Sequence, residues 1–385
     1  MPFGALTMSE QRSSLVEEIH RGEHSLSAVC RFYEVSRPTA YKWLKRSALG
    51  EDMCGRHKAP LHSPRKTSAA VEDVIVQARL QHPCWGGRKL KAFLERRGET
   101  GIPSPSTVTA ILQRHGLVSK EASLAAMPYK RFEKKRPNDM WQADFKGHFQ
   151  MGDGNRCHPL TVTDDMSRFN LCISAKQNER LPGVRDSFIA LFREYGLPRA
   201  VLCDNGAPFG TGAHHGYTKF EVFLMDYGVF PVHGRPLHPQ TQGKCERFHR
   251  TMKRELLQRV SIADIIHAQR EFDAFRREYN EERPHCSLDY AVPAERYTIS
   301  HRLMPERIAQ WDYPDKWQVK KVSNKGYLHL KQKYLFLSEG FIGHNVAMAE
   351  TADDGIFEII YRNFRIAIFD MKGGKFILRK IEKLK

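Results

Sequence analysis

The spacing of apolar positions changes along this chain, and each change of period marks a different kind of element. Leu15, Val16 and Ile19 form one apolar face, and Leu26, Val29, Cys30 and Tyr33 form a second at steps of three and four. A third face follows at Ala40, Trp43 and Leu44, behind Ser36 as N-cap and Pro38 in the first turn. Arg37, Thr39, Tyr41, Lys42 and Lys45 are then left on the outside of that helix. A short helix, a tight turn and a basic second helix predict a helix-turn-helix over residues 8–47, with those five side chains as its DNA contacts. Gly50, Gly55, Pro60 and Pro64 break the periodicity of the linker that follows. Three further stripes then appear: Val71, Val74, Ile75 and Ala78; Leu90, Phe93 and Leu94; Val108, Ile111, Leu112 and His115. With Ser104-Pro105 opening the last of them, they predict a second helix-turn-helix-like module over 68–117, its Ser106, Thr107, Thr109 and Gln113 facing out. Residues 118–137 read as a basic linker, whose Tyr129-Lys-Arg-Phe-Glu-Lys-Lys-Arg136 suits an arm that follows phosphates.

From Met140 to Gln150 the period falls to two. Trp141, Ala143, Phe145 and Phe149 take one face, and Gln142, Asp144, Lys146, His148 and Gln150 the other. That is a half-buried strand with Asp144 on its polar side. Leu160 to Asp165 and Arg168 to Ala175 predict two more strands, where Asp164, Asp165 and Arg168 read as turn-stabilising residues. A helix from Gly183 to Tyr195 leads to the apolar run Ala200-Val-Leu-Cys203, the signature of a strand covered on both faces. Asp204 ends that strand, and Asn-Gly turns the chain away. After a helix near Phe220 to Tyr227 and a strand at Val229 to Val232 comes a helix with the core stripe Cys245, Phe248, Met252 and Leu256. Glu246, His249, Arg250 and Lys253 share its opposite face. Ile265, Ala268, Phe272, Phe275 and Tyr279 mark one more long helix. Beyond Trp317, short alternating runs separated by glycines predict a small β-barrel over 315–385.

Charge narrows the partner. A net charge of +17 and a pI near 9.5 call for a polyanion. No apolar run approaches membrane-spanning length and no signal peptide opens the chain, so a membrane surface is the weaker reading. The eight cysteines are scattered without a Cys-x-x-Cys pair, which fits free thiols in a reducing cytoplasm. Cys54, His57 and His62 lack a fourth ligand and are set aside as a metal cluster.

Asp204 alone is an ordinary turn residue, and Glu246 alone an ordinary solvated helix acid. With Asp144 they make three carboxylates, each where an active-site acid would sit. Converging, they would repel and be driven to protonate, and a divalent cation with hard oxygen ligands, Mg²⁺ or Mn²⁺, removes that conflict.

Trp-Gln-Ala-Asp144, Asp204-Asn-Gly-Ala-Pro-Phe209 and His238-Pro-Gln-Thr-Gln-Gly-Lys-Cys-Glu246-Arg-Phe-His resemble the catalytic core of the DDE transposases of bacterial insertion sequences. That family shares the retroviral-integrase, ribonuclease H-like fold, and the resemblance runs from about residue 137 to 297. Tyr279-Asn-x-x-Arg283-Pro-His285 is similar to a family motif that closes the core, in a structural role. One departure is the 41 residues between Asp204 and Glu246, longer than usual, with Gly210 to Thr218 as the expected loop insertion. The resemblance implies an α/β catalytic domain with a mixed sheet over 138–297, in the order βββαβαβα. It implies Asp144, Asp204 and Glu246 as catalytic residues and metal ligands, holding two Mg²⁺ or Mn²⁺ ions per active site, with Arg250 and Lys253 on adjacent phosphates. It also implies DNA partners (terminal inverted repeats and target), a homo-oligomer that pairs the ends, and a cytoplasmic, nucleoid-associated bacterial protein. Two other readings stand beside it: a DNA-binding regulator that kept the core without catalysis, and a non-specific metal nuclease.

Overall fold

The structure is a computed structural model that describes residues 7–54, 67–118, 134–211, 216–234, 243–330, 333–378 and 381–384. Gly55, His57, Pro60, His62 and Pro64 of the linker, Tyr129 to Glu133 of the basic segment and the His238-to-Gln242 run lie outside the described residues. The chain forms two compact units, Met1–Lys66 and Thr67–Lys385.

In the first unit, three helices follow the three predicted stripes: α1 (Met8–Arg21), α2 (Leu26–Phe32) and α3 (Arg37–Ala48). Each start is fixed by a side-chain cap, from Thr7, Ser25 and Ser36. Leu15, Val16, Val29, Cys30, Ala40 and Trp43 close the core, and the Arg12 guanidinium lies 4.3 Å from the Trp43 ring centre. Arg37, Tyr41, Lys42 and Lys45 are exposed, whereas Thr39 is half-buried and its hydroxyl lies 2.9 Å from Ser36 Oγ.

The second unit begins with α4 (Ala69–Gln81), α5 (Gly87–Arg96) and α6 (Pro105–Arg114). Gly87 is required at the crossing of α5 and α6, because a Cβ there would come within 2.5 Å of Thr109 Oγ1 and 2.6 Å of the Pro105 carbonyl oxygen. Thr109 departs from the outward position expected of it. Its hydroxyl turns back on Pro105 O at 2.8 Å and fills the α5–α6 contact.

The central sheet holds β1 (Trp141–Phe145), β2 (Phe149–Gln150), β3 (Arg156–Asp164), β4 (Asn170–Lys176), β5 (Ala200–Cys203) and β6 (Phe230–His233). Its path is β2-β3-β1-β5-β6, with β4 also on β3. Pairs among β1 to β4 are antiparallel, and β1–β5 and β5–β6 are parallel, which makes the sheet mixed. The single strand expected from Met140 to Gln150 is in fact two, because Gly147 takes a left-handed φ of 81° and turns the chain. One face of the sheet packs on α7 (Leu181–Tyr195) and α8 (Lys219–Asp226) through Trp141, Ala143, Leu160, Val162, Phe188, Phe192 and Phe220. On the other side, α9 (Gly243–Met252) and α10 (Ile265–Arg277) share a core of Phe248, Met252, Phe272 and Phe275. Each of these two helices runs on into a π-turn, Lys253–Leu257 and Glu278–Glu282.

The C-terminal segment corrects the expected barrel. Strands β7 (Gln318–Lys321), β10 (Asn345–Glu350), β11 (Ile356–Tyr361), β12 (Phe364–Asp370) and β13 (Lys375–Leu378) form an open antiparallel sheet in the order β13-β12-β11-β10-β7. β14 (Glu382–Lys383) joins β12, and β8 (Tyr327–Leu330) pairs with β9 (Lys333–Phe336) as a separate hairpin. Among the described residues no strand closes β13 onto β7. Alternation shows that one face is buried, and here the central-sheet domain helps to cover it: Val222 and Met225 of α8 enter the same core as Leu328, Phe341, Ile359 and Phe364. Tyr217, at the end of the expected loop insertion, is buried there too, and donates its amide to Ser338 Oγ at 2.7 Å. Residues 212–215 of that loop lie outside the described residues.

Among the polar contacts that the described residues make between the helical module α4–α6 and the central-sheet domain, one is buried. Glu255 lies in the π-turn Lys253–Leu257 that continues α9, and it is buried. Its carboxylate accepts two bonds of 2.8 Å from the Arg283 guanidinium and one of 3.3 Å from Trp85 Nε1. Glu255→Ala leaves Arg283 buried without its counter-charge, so unfolding of this unit should be easier by about 3–5 kcal/mol. Trp85→Phe should cost less, on the order of 1 kcal/mol. Urea titrations followed by tryptophan fluorescence measure both, and a Glu255→Ala variant as stable as wild type would show that the pair does not hold the module.

Candidate active site

Strands β1 and β5 run parallel, with Trp141 opposite Val201 and Gln142 opposite Leu202. Continuing that register by two residues sets Asp144 beside Asp204, and residues paired in this way point to the same face. Trp141 and Ala143 face α7 and α8, so Gln142 and Asp144 face the side covered by α9. Glu246 sits in the first turn of α9 and is exposed.

Two contacts hold α9 against β1. Lys244 Nζ lies 2.6 Å from the buried Asp165 carboxylate, which also accepts from Gln142 Nε2 at 2.6 Å and from the Lys134 amide at 2.7 Å. The neighbouring Asp164 accepts from the Asn138 amide and from the amide and hydroxyl of Ser167. These two acids are therefore fastenings of the hairpin and helix, and Arg168 donates to the Asp165 carbonyl in the same turn. The second contact is nearer the candidate acids. Thr161, opposite Asp144 in the β1–β3 register, donates its hydroxyl proton to the Asp144 carbonyl at 3.0 Å. Its oxygen is thus the acceptor for His249 Nε2 at 2.8 Å. Nε2 then carries the ring proton and Nδ1 keeps its lone pair, 3.9 Å from Asp144 Oδ2. Burial, reinforced by the nearby Lys146 ammonium, pushes the His249 pKa down to about 4 and keeps the ring neutral.

The electrostatics mark the same spot. Burial, the charge of Asp204 and, further off, Glu179 and Glu246 push the Asp144 pKa up to about 7. Asp204 is raised too, by burial first and by Glu179, against the pull of the Gly206 amide and His233. Asp204 Oδ1 is buried without a hydrogen-bond partner. His233 steadies Asp204 from behind: Nδ1 lies 2.8 Å from the Asp204 carbonyl and Nε2 3.1 Å from Glu221. Burial opposes the charge on His233, yet its two oxygen partners raise its pKa. Lys146 and Lys253 are close enough for the second to depress the first, after burial. Arg250 is exposed one turn beyond Glu246.

The structure brings Asp144 and Asp204 together and places Glu246 close enough to act on Asp144. It does not close the three into a cage: among the described residues, no three His, Cys, Asp or Glu side chains are gathered to hold one ion. Sequence reasoning missed Thr161, Glu179 and Lys146, and gave His249 no role. His249 was findable, since it shares the helix face of Glu246. Glu179 follows β4 in Lys176-Gln-Asn-Glu179-Arg, where no periodicity singles it out.

Two models of the integrase core domain match residues 134–239 and 227–293. A homeodomain-like model matches 39–112, and the C-terminal domain of IS481 family transposases matches 317–376. The chain is an insertion-sequence transposase with an integrase-like core. Among its relatives is an uncharacterized 31.7 kDa protein of insertion element IS407 from Burkholderia multivorans, 26% identical over 65% of this chain and 89% of the relative. The InsD transposase of the Escherichia coli IS2 elements is 26% identical over 70% of this chain and 90% of its own. Of solved structures, the magnesium complex of the HTLV-2 integrase catalytic core is similar over 42% of this chain and 97% of its own, at 17% identity and a TM-score of 0.32. A chain of the simian T-cell lymphotropic virus intasome covers 75% of this chain and 96% of its own, at 14% identity and a TM-score of 0.37. Among the described residues of the transposase, no helix is long and apolar enough to cross a membrane.

The raised pKa of Asp144 has a measurable sign. A carboxylate whose pKa is higher folded than unfolded stabilises the fold below its ordinary value near 4, and that contribution is lost as pH rises to about 7. Asp144→Asn removes the ionisation. In the metal-free transposase, the melting temperature of the variant relative to wild type should therefore climb between pH 5 and pH 7. Thermal melts across that range in chelator check it, and a pH-independent difference would mean that Asp144 titrates as an ordinary surface acid.

Proposed function

We propose that the transposase binds the ends of its element through the α1–α3 unit and cleaves and joins DNA at Asp144, Asp204 and Glu246. The observation that carries this reading is the parallel register of β1 and β5. It sets two carboxylates side by side where one holds its proton to about pH 7 and the other has a buried oxygen without a partner. One divalent cation relieves both conditions, and an all-oxygen donor set fits Mg²⁺ or Mn²⁺. Asp144 and Asp204 would hold the ions, two per active site, and Glu246 would complete the set from α9. The chemistry such ions would supply is activation of a hydroxyl nucleophile and stabilisation of the departing oxygen in an in-line displacement.

The chain's own side chains do the positioning. Asp144 is fixed by the strand and by the Thr161–His249 pair, and Asp204 by His233 behind it. Lys146, Arg250 and Lys253 neutralise phosphates on either side of the scissile one, which lowers the cost of bringing a polyanion to three acids. No covalent enzyme intermediate is formed. Cys203 and Cys245 adjoin the acids, but burial holds both thiols well above their ordinary pKa, so neither is a thiolate nucleophile. Arg37, Thr39, Tyr41, Lys42 and Lys45 of α3 supply the base and phosphate contacts to the terminal repeats. In this division of labour, residues 8–47 recognise ends, 68–117 and 138–297 form the catalytic body, and 315–385 supports it. The chains would act as a homo-oligomer that pairs two ends.

Asp144→Asn, Asp204→Asn and Glu246→Gln should each lower cleavage and strand transfer together, by roughly a thousandfold or more, because one site serves both steps. Binding of the element end by full-length variants should persist, since α3 is untouched. Strand-transfer yield on a labelled end, at equal folded concentration, decides it. An active Glu246→Gln would show that α9 does not supply the third acid, and end binding by wild type without any product would favour a regulator.

A further inference from the structure

The strand that carries Asp204 at its carboxyl end opens at its amino end on a cleft of about 510 Å³. Ala200 and Phe230, the first residues of β5 and β6 and a registered pair, form its apolar floor. Its walls are Lys134, Asp139, Arg199, Arg302 and Lys383, four cations against one acid. They come from four separate parts of the chain. Lys134 precedes β1, Arg199 precedes β5, Arg302 belongs to the segment after the core helices, and Lys383 to the last strand of the C-terminal sheet.

We propose that this cleft is a second DNA site, which grips the phosphodiester backbone of a duplex at the end of the sheet opposite the acids. The proposal rests on the reading of the chain as a DNA transposase and extends it to a surface that catalysis does not use. Arg302 is preorganised for such a role. Its guanidinium donates to the carbonyls of Pro198, Tyr227 and Gly228, so its position is set before any ligand arrives. Arg199 is largely exposed and meets Asp139 only at 3.5 Å, a contact that water screens and a phosphate can outcompete. The cations also crowd one another. Burial first, then Arg199, lowers the Arg302 pKa, and burial, Arg302 and Arg199 lower that of Lys383. Like charges held together against their own repulsion gain when a polyanion enters, and released counterions add to that gain.

The geometry favours a backbone contact over base readout. The walls offer ammonium and guanidinium donors, which suit phosphate oxygens, and the floor offers one ring, Phe230, half-buried against Phe364. Four residues of strand, roughly 13 Å, separate the floor from Asp204, a rise of about four base pairs of duplex. The cleft therefore touches DNA that is not being cut.

The test uses the full-length protein and a fluorescent duplex of random sequence. Arg199→Gln with Lys383→Gln should weaken binding and make the logarithmic salt dependence shallower by about two, one unit for each lost phosphate contact. Arg270→Gln with Lys325→Gln, two exposed cations outside the cleft, removes the same charge and should change the slope less. A second readout needs no substitution: the duplex should protect Lys383 of wild type from amine acetylation more than Lys325. If wild type binds the duplex while the double variant keeps the full slope and Lys383 stays reactive, the cleft is not a DNA site and the transposase reading stands. If wild type binds no duplex at all, the DNA reading fails and the cleft proposal with it. Protection of Lys383 by pyrophosphate but not by the duplex would also overturn it, in favour of a small phosphate ligand.

Discussion

Two carboxylates on neighbouring parallel strands, turned to the same face and half dried by a helix above them, cannot both stay ionised cheaply. The β1–β5 register imposes this condition on Asp144 and Asp204, and the surrounding structure is arranged to hold them there. Trp141 and Ala143 bury the opposite face of β1 against α7 and α8, which keeps the strand from rotating its acid outward. Lys244 on Asp165, and His249 on Thr161, clamp α9 over the pair. Burial first, and then the charge of Asp204, hold the Asp144 pKa up, because the sheet does not let the two acids move apart.

Rigidity at that point requires rigidity further out. The helical module α4–α6 is fastened to the catalytic core by Glu255, Arg283 and Trp85 rather than strung beside it. At the other end, Tyr217 reaches into the C-terminal core and Ser338 binds its backbone, while Arg362 pairs with Asp226 of α8 at 3.0 Å. Buried polar pairs of this kind add little net stability but penalise any misplaced partner heavily. They fix relative position. The open C-terminal sheet follows from the same arrangement, because a face that rests on α8 has no need to curl onto itself.

Periodicity was enough to read most elements of the fold, though not the break at Gly147 between β1 and β2. Helical stripes located α1 to α6, and the buried run Ala200 to Cys203 located the strand that ends at Asp204. What it could not give is pairing. Alternation in the C-terminal runs says that a face is buried and is silent on what buries it, so a barrel and an open sheet on a helix look alike. For the candidate site, the acids stood out because their local contexts differ: mid-strand, strand end and helix. Thr161 and Glu179 did not: Thr161 matters through a strand register that sequence does not encode, and Glu179 lies beyond the end of β4, where no periodicity marks it. Lys253 shows a further limit: the seven-residue spacing from Glu246 assumes an α-helix, and the π-turn at Lys253–Leu257 begins at that residue.

The third acid differs from the other two in a way that follows from where it sits. A carboxylate on a solvated helix face costs the fold almost nothing, whereas the strand pair is strained by its own burial. The unfavourable electrostatics fall on the buried strand pair, and Glu246 adds the least of the three charges that raise the Asp144 pKa. The same economy appears along β5. Its carboxyl end gathers negative charge, and its amino end gathers Arg199, Arg302 and Lys383. Those cations at the amino end stand near enough to draw in a polyanion and too far to neutralise the acids. The length of one short strand provides that separation.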